Sequence, residues 1–145
     1  MDEASGNYFG KVLLQDYFYN KMPEVLKDEF SKKFNLDPGF IKDNLYQKEN
    51  PNMYLASFAK FMGEYKTEPY IKELIRKGFN LFIENKIKTV ENYKNLPIHF
   101  VGSIAYYFQD ILKETLKENN LIIGKIIQKP IDNLIKYHSN LTNKL

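Results

Sequence analysis

The sequence predicts a helix-rich α/β fold, on three observations. Apolar residues recur at three- and four-residue spacing through most of the chain up to Ile87. The period then changes, and two short β-type runs follow, Leu96–Val101 and Leu121–Ile127. Between them Gly102-Ser103 breaks the chain, and a helical period restarts at Ile104. The front two-thirds is therefore all-helical and the back third reads β-α-β-α.

Taken in order, Ser5 or Asn7 caps a first helix carrying Val12, Leu13, Tyr17 and Phe18. Pro23 interrupts it and starts a second helix with Val25, Leu26, Phe30 and Phe34. Asp37-Pro38 has the pattern of a cap followed by a first helical residue, opening a short helix with Phe40, Ile41, Leu45 and Tyr46. Asn50-Pro51-Asn52 is a turn in which Asn52 is the cap of a fourth helix carrying Leu55, Phe58, Ala59 and Met62. Thr67 is the expected cap of the longest helix, with Pro69 in its first turn. Its residues Tyr70, Ile71, Leu74, Ile75, Phe79, Phe82, Ile83 and Ile87 form one apolar stripe, a core face rather than a cofactor box.

After the first strand a helix runs through Ile104, Phe108, Ile111, Leu112 and Leu116, and Asn119-Asn120 ends it. The second strand contains Gly124, which marks either a bulge or a close approach. Pro130 opens a last helix with Ile131, Leu134, Ile135 and Tyr137. A β-α-β unit yields at most two parallel strands, and parallel strands normally lie inside larger sheets covered on both faces. Either the domain is unusual, or further strands come from elsewhere.

The bulk properties bound the function. A chain of 145 residues supports one domain, with residues 1–95 as a helical subdomain and 96–145 as its βαβα part. A hydrophobic content of 43% and an aromatic content of 15% are those of a packed globule. The net charge of +3 is spread as single basic residues among acids, so no basic stripe follows a phosphate backbone, and a nucleic-acid partner is not expected. The absence of cysteine removes disulfides, thiolate metal sites and thiol nucleophiles. No apolar run reaches the roughly 20 residues of a membrane span, and Met1-Asp2-Glu3 does not open a signal peptide. The expected location is the cytoplasm.

No complete active site is legible. His99 lies in a strand and His138 at the end of the last helix, and both are read as structural rather than metal-ligating, so no metal site is assigned. Asp2 and Glu3 are adjacent and would point apart on a regular element, so they do not make a glycosidase-type pair. Neither a G-x-x-x-x-G-K-[ST] loop, nor G-x-G-x-x-G, nor G-x-S-x-G occurs. What remains is the turn after Phe100-Val101, where Gly102-Ser103 brings backbone to the carboxyl end of a strand and the start of a helix, the usual ligand position in open α/β sheets.

Three segments together carry a resemblance. Asp2-Glu3-Ala4-Ser5-Gly6-Asn7-Tyr8-Phe9-Gly10 resembles the Gly-Asp-Glu-Gly-Ser-Gly-x-x-(Ile/Leu)-Gly segment of N-acetylglucosamine-kinase-like proteins of the BadF/BadG-type ATPase family, within the actin and sugar-kinase superfamily. Phe100-Val101-Gly102-Ser103-Ile104-Ala105 resembles the adenosine motif of that family, and the stretch from Gly124 to His138 its closing strand and helix. Two departures stand out: Met1 replaces the glycine before Asp2, and Ala4 replaces a usual glycine.

The resemblance covers about the C-terminal half of a family member, so that the position of Met1 falls inside the family's sequence. The N-terminal lobe with its Asp-Gly-Gly-Gly phosphate loop, the catalytic aspartate and the second phosphate motif have no counterpart here. What the resemblance implies is a partial C-terminal lobe of an actin-like ATPase fold. Gly102 and Ser103 would face the adenosine of ATP, Gly102 because a side chain would block close approach, and Asp2 would accept hydrogen bonds from an amino sugar. ATP and Mg²⁺ would belong to the intact parent protein. The isolated chain is expected to bind neither appreciably, to hold no catalytic residue, and to show no kinase or ATPase activity. Its sheet is expected to expose an edge near Ile98 and Phe100 or near Ile122 and Ile126, and so to self-associate or pair with the missing N-terminal lobe. The competing reading is a free-standing helical interaction domain whose Gly102-Ser103 turn holds no nucleotide.

Overall fold

The computed structural model describes residues 2–129, which divide into two compact units meeting between Lys86 and Ile87. The first unit is helical: α1 (Gly6–Phe18), α2 (Glu24–Lys33), α3 (Pro38–Tyr46), α4 (Pro51–Glu64) and α5 (Pro69–Phe82), the last widening into a π-helical turn at Ile83–Ile87. The second contains a 3-10 turn (Tyr93–Asn95), β1 (Ile98–Val101), α6 (Ser103–Tyr107), α7 (Gln109–Glu118) and β2 (Ile123–Ile127). The helix anticipated from Pro130, and His138 within it, lie outside the described residues.

Helix boundaries follow local chemistry. The Ser5 hydroxyl accepts from the Tyr8 N–H (3.0 Å), which settles the first cap in favour of Ser5 over Asn7. Asp37 accepts from the Phe40 N–H (2.8 Å), and Pro38 stands at the first helical position. Two caps fall elsewhere than expected. Asn50, not Asn52, precedes α4, and Glu68, not Thr67, precedes α5. In each case proline takes the first helical position, where its missing N–H costs nothing, and this places the boundary without a side-chain cap. Helices α1 and α7 stop two residues before Asn20 and Asn120, which adopt left-handed φ values of 53° and 54°.

The first unit is organised by a near contact of backbones. Gly6 and Gly10 lie one turn apart on the face of α1 turned to α4, and a Cβ on Gly10 would overlap the carbonyl oxygen of Leu55. A Cβ on Gly6 would stand 3.2 Å from the Cβ of Ala56. The two helices therefore touch through glycine on one side and a small residue on the other. Phe9 is fully buried, and its ring fills the space where a Cβ of Gly78 on α5 would come within 2.5 Å. It meets the Phe79 ring edge-on at 6.5 Å.

A second cluster centres on Phe30 of α2, also fully buried, with Tyr17, Phe34, Phe58 and Phe61 around it at centroid distances of 4.8 to 5.7 Å. The hydroxyl of Tyr70 donates to Asp16 Oδ2 at 2.8 Å and ties α5 to α1. Burial, followed by the bond and charge of Asp16, pushes the Tyr70 hydroxyl well above the ordinary tyrosine range.

In the second unit β1 and β2 pair in parallel, as the β-α-β pattern requires. The register runs Ile98 to Ile123 and then Phe100 to Ile126, so β2 holds one extra residue between these pairs. Gly124 sits there, and a Cβ on it would come within 2.8 Å of the His99 ring. Bulge and close approach thus coincide at Gly124. The His99 Nδ1 accepts from the Lys125 N–H (3.0 Å), so the imidazole completes the ladder where the bulge interrupts it. This is the structural role read for His99. The single helix expected after β1 is broken at Phe108 (φ −109°, ψ 27°) into α6 and α7.

Two outcomes are expected. Gly10→Ala should cost at least about 3 kcal/mol because backbone cannot yield to a new methyl, whereas Gly63→Ala, with nothing within 4 Å of the added Cβ, should stabilise by up to about 1 kcal/mol; urea denaturation of both variants checks this. The second concerns pH. Unfolding lets Tyr70 ionise near its usual value of 10.0, while the folded protein keeps it protonated above that. The folded state then binds more protons, so stability falls as pH rises beyond about 10. Tyr70→Phe should cost about 1.5–2 kcal/mol at pH 7, from the lost bond to a carboxylate, and flatten the decline between pH 9 and 11.

Candidate functional site

The chain's opening residues form a tight turn, closed by the Ser5 N–H donating to the Asp2 carbonyl at 2.9 Å. Ala4 occupies its third position with φ 58°, a left-handed conformation that glycine adopts without strain and alanine does not. Ala4 is therefore the residue of this turn where glycine would cost least. Asp2 Oδ2 accepts from Asn7 Nδ2 at 2.6 Å, which folds the carboxylate back over the start of α1.

Glu3 points to different partners. Asn85 of the π-helical turn donates to its Oε1 (3.3 Å), and the Lys86 ammonium lies 3.9 Å from Oε2. Its own backbone N–H, and then Asn85 and Lys86, hold the Glu3 carboxyl below the usual carboxylate range against an opposing effect of burial. Widening the last turn of α5 sets Asn85 and Lys86 against the N-terminal turn. Asn85 and Lys86, the partners of Glu3, were not singled out from sequence. The signal for them is absent there, because it lies in a π-helical turn more than eighty residues away along the chain.

Beside Asp2 a groove of about 540 Å³ runs between α1, α3 and the start of α4, with Asn7 and Lys11 at its polar end. Asp2 thus lines a cavity within the first unit.

In the second unit, Gly102 ends β1 and precedes α6 with φ 135° and ψ 161°, a region open essentially to glycine alone. Its N–H donates to the Ile127 carbonyl (2.9 Å) and its carbonyl accepts from the Tyr106 N–H (3.1 Å). The N–H of Gly102 is thus committed to the sheet. A Cβ there would meet nothing within 4 Å, so backbone conformation, not crowding inside the chain, demands glycine. Ser103 follows, exposed, as the first residue of α6. The structure brings Gly102 and Ser103 side by side, while Asp2 belongs to the other unit. Among the described residues no cluster of three or more His, Asp or Glu side chains is arranged to hold a metal ion, and no helix is long and apolar enough to cross a membrane.

No protein-family model matches this sequence, and no curated protein matches it. Nine solved chains do. One of them, a Porphyromonas gingivalis protein named "Putative N-acetylglucosamine Kinase", is 31% identical, superposes with a TM-score of 0.87 and is matched over 96% of this chain. The chain has a kinase-like partial fold. The match takes in 49% of the solved protein, so this chain spans about half its length. The helix-rich α/β architecture with a small parallel sheet is accordingly that of part of an actin-like kinase.

Strain at the two turns is measurable. Ala4→Gly should raise stability by about 0.5–1 kcal/mol by relieving a left-handed alanine. Gly102→Ala should lower it by about 1–3 kcal/mol, since the backbone must leave this region or carry the cost. Thermal unfolding of the two variants beside the parent checks both signs.

Proposed function

We propose that the chain is the C-terminal part of an ATP-dependent amino-sugar kinase or a related ATPase of the BadF/BadG type, and that it supplies the adenosine side of the cleft together with a sugar-facing carboxylate. The observation that carries this reading is the match to the P. gingivalis protein over 96% of the chain at 31% identity. The glycine-only turn at the end of β1 supports it, because Gly102-Ser103 stands at the carboxyl end of a parallel strand with open space above the α-carbon of Gly102. An adenine and ribose approaching this turn would lie along Gly102 and Ser103, and Asp2 would accept hydrogen bonds from sugar hydroxyls.

Phosphoryl transfer requires metal and phosphate-binding loops to neutralise developing charge. In this reading the Mg²⁺-binding groups, the phosphate loops and the catalytic aspartate come from the other half of the fold, and the chain by itself transfers no phosphoryl group. The same division accounts for a parallel sheet with two strands among the described residues. Exposed apolar side chains at Val101 and Ile122 fit a sheet that pairs with the complementary lobe or with a second copy.

Nuclear magnetic resonance titration of the chain with ATP, with and without Mg²⁺, tests the nucleotide site. The expected result is weak binding, with amide shifts confined to Gly102–Ala105 and its neighbours, no ATP turnover, and loss of the shifts in Ser103→Phe. This substitution covers the turn without forcing Gly102 out of its conformation. Shifts elsewhere, or shifts indifferent to Ser103→Phe, would remove the nucleotide assignment, and turnover of ATP would overturn the division of labour.

A further inference from the structure

The groove beside Asp2 changes character along its length. At the N-terminal end of α1 it is polar, with Asp2, Asn7 and Lys11 on its wall. Past Lys11 no lining residue carries a charge, and Leu14 of α1, Ile41 of α3 and Leu55 of α4 line its walls. Phe18 and Tyr46 line it too; Tyr46 is 80% exposed and gives its ring to solvent unless something occupies the groove. From Asn7 to Phe18 the wall follows three turns of helix, about 16 Å at 1.5 Å per residue, which is longer than one sugar ring. The volume of about 540 Å³ lies within the range of small-molecule sites.

We infer that this groove receives the N-acyl substituent of an amino sugar and favours acyl chains longer than acetyl. The inference rests on the reading of Asp2 as the sugar-facing carboxylate. A carboxylate accepts from ring hydroxyls, and an ammonium at Lys11 donates to the carbonyl of the amide. The uncharged stretch that follows has Gln15, Asn52 and the hydroxyls of Tyr19 and Tyr46 as its polar groups among leucine, isoleucine, proline and aromatic rings, a mostly apolar lining that suits methylene groups better than the many hydroxyls of a second sugar ring. A phosphorylated or carboxylated tail finds no cation beyond Lys11. The acyl chain is the occupant that matches polar entry, apolar length and single cation together.

The test is titration of the chain with N-acetyl-, N-butanoyl- and N-hexanoylglucosamine, followed by nuclear magnetic resonance. Each methylene that reaches the groove should tighten binding about fourfold. The variant Phe18→Ala/Tyr46→Ala, altering two side chains that are 46% and 80% exposed and so leaving the fold intact, should abolish the gain with chain length and keep the affinity for N-acetylglucosamine. Asp2→Asn should weaken all three sugars alike. Equal affinity for the three sugars overturns the inference and leaves the sugar-facing role of Asp2 standing. Absence of binding by every sugar overturns both. Hexanamide binding as tightly as N-hexanoylglucosamine would show a groove for any apolar chain, and would equally overturn it.

Discussion

The contact of α1 with α4 through Gly6 and Gly10 is the constraint on which the first unit depends. Two helices whose backbones meet leave no room for adjustment, since a carbonyl oxygen stands where a Cβ would go. Once that contact is set, the residues between the glycines have fixed destinations. Phe9 turns to α5 and fills the space over Gly78, while Asn7, next to Gly6, lines the groove. The start of α1 is held at the same time, because Gly6 is the residue after the Ser5 cap. A packing requirement in the middle of the unit therefore positions the turn that carries Asp2 and Glu3.

That turn shows how a short segment can serve several demands. Asp2 gives its carbonyl to the turn and its side chain to Asn7; Glu3 reaches Asn85 and Lys86; Ser5 caps the helix. Every one of these roles is local except that of Glu3, which depends on α5 widening into a π-helical turn. Such turns are uncommon and often mark functional places in helices. Here it brings an amide and an ammonium to a partly buried carboxylate, and these two add to the bond from its own backbone N–H in holding that carboxyl below the usual range.

The second unit meets a different requirement. Its two strands are parallel, and their alignment absorbs an extra residue at Gly124, with His99 supplying the acceptor that the interrupted ladder lacks. The strand then ends in a conformation that excludes side chains, at Gly102. A small sheet with a bulge on one strand thus ends, on the other, in a glycine-only turn that leads directly into α6 at Ser103.

Much of this was legible in the residues themselves. The helices of the first unit, the cap at Asp37, a first cap at either Ser5 or Asn7, the stripe along α5 and the two strands followed from periodicity and capping, which depend on neighbours a few residues away. The glycine at 102 was legible as a turn, and Asp2 only through the resemblance of its segment. What the tertiary structure decided is of another kind. That Gly6 and Gly10 are a helix contact, that α5 ends in a π-helical turn against Glu3, that the helix after β1 breaks at Phe108, and that the bulge and the close approach both offered for Gly124 coincide against His99 all depend on what lies opposite. A sequence states which side chains alternate along an element, but the space across from a backbone exists only once another element has come to occupy it.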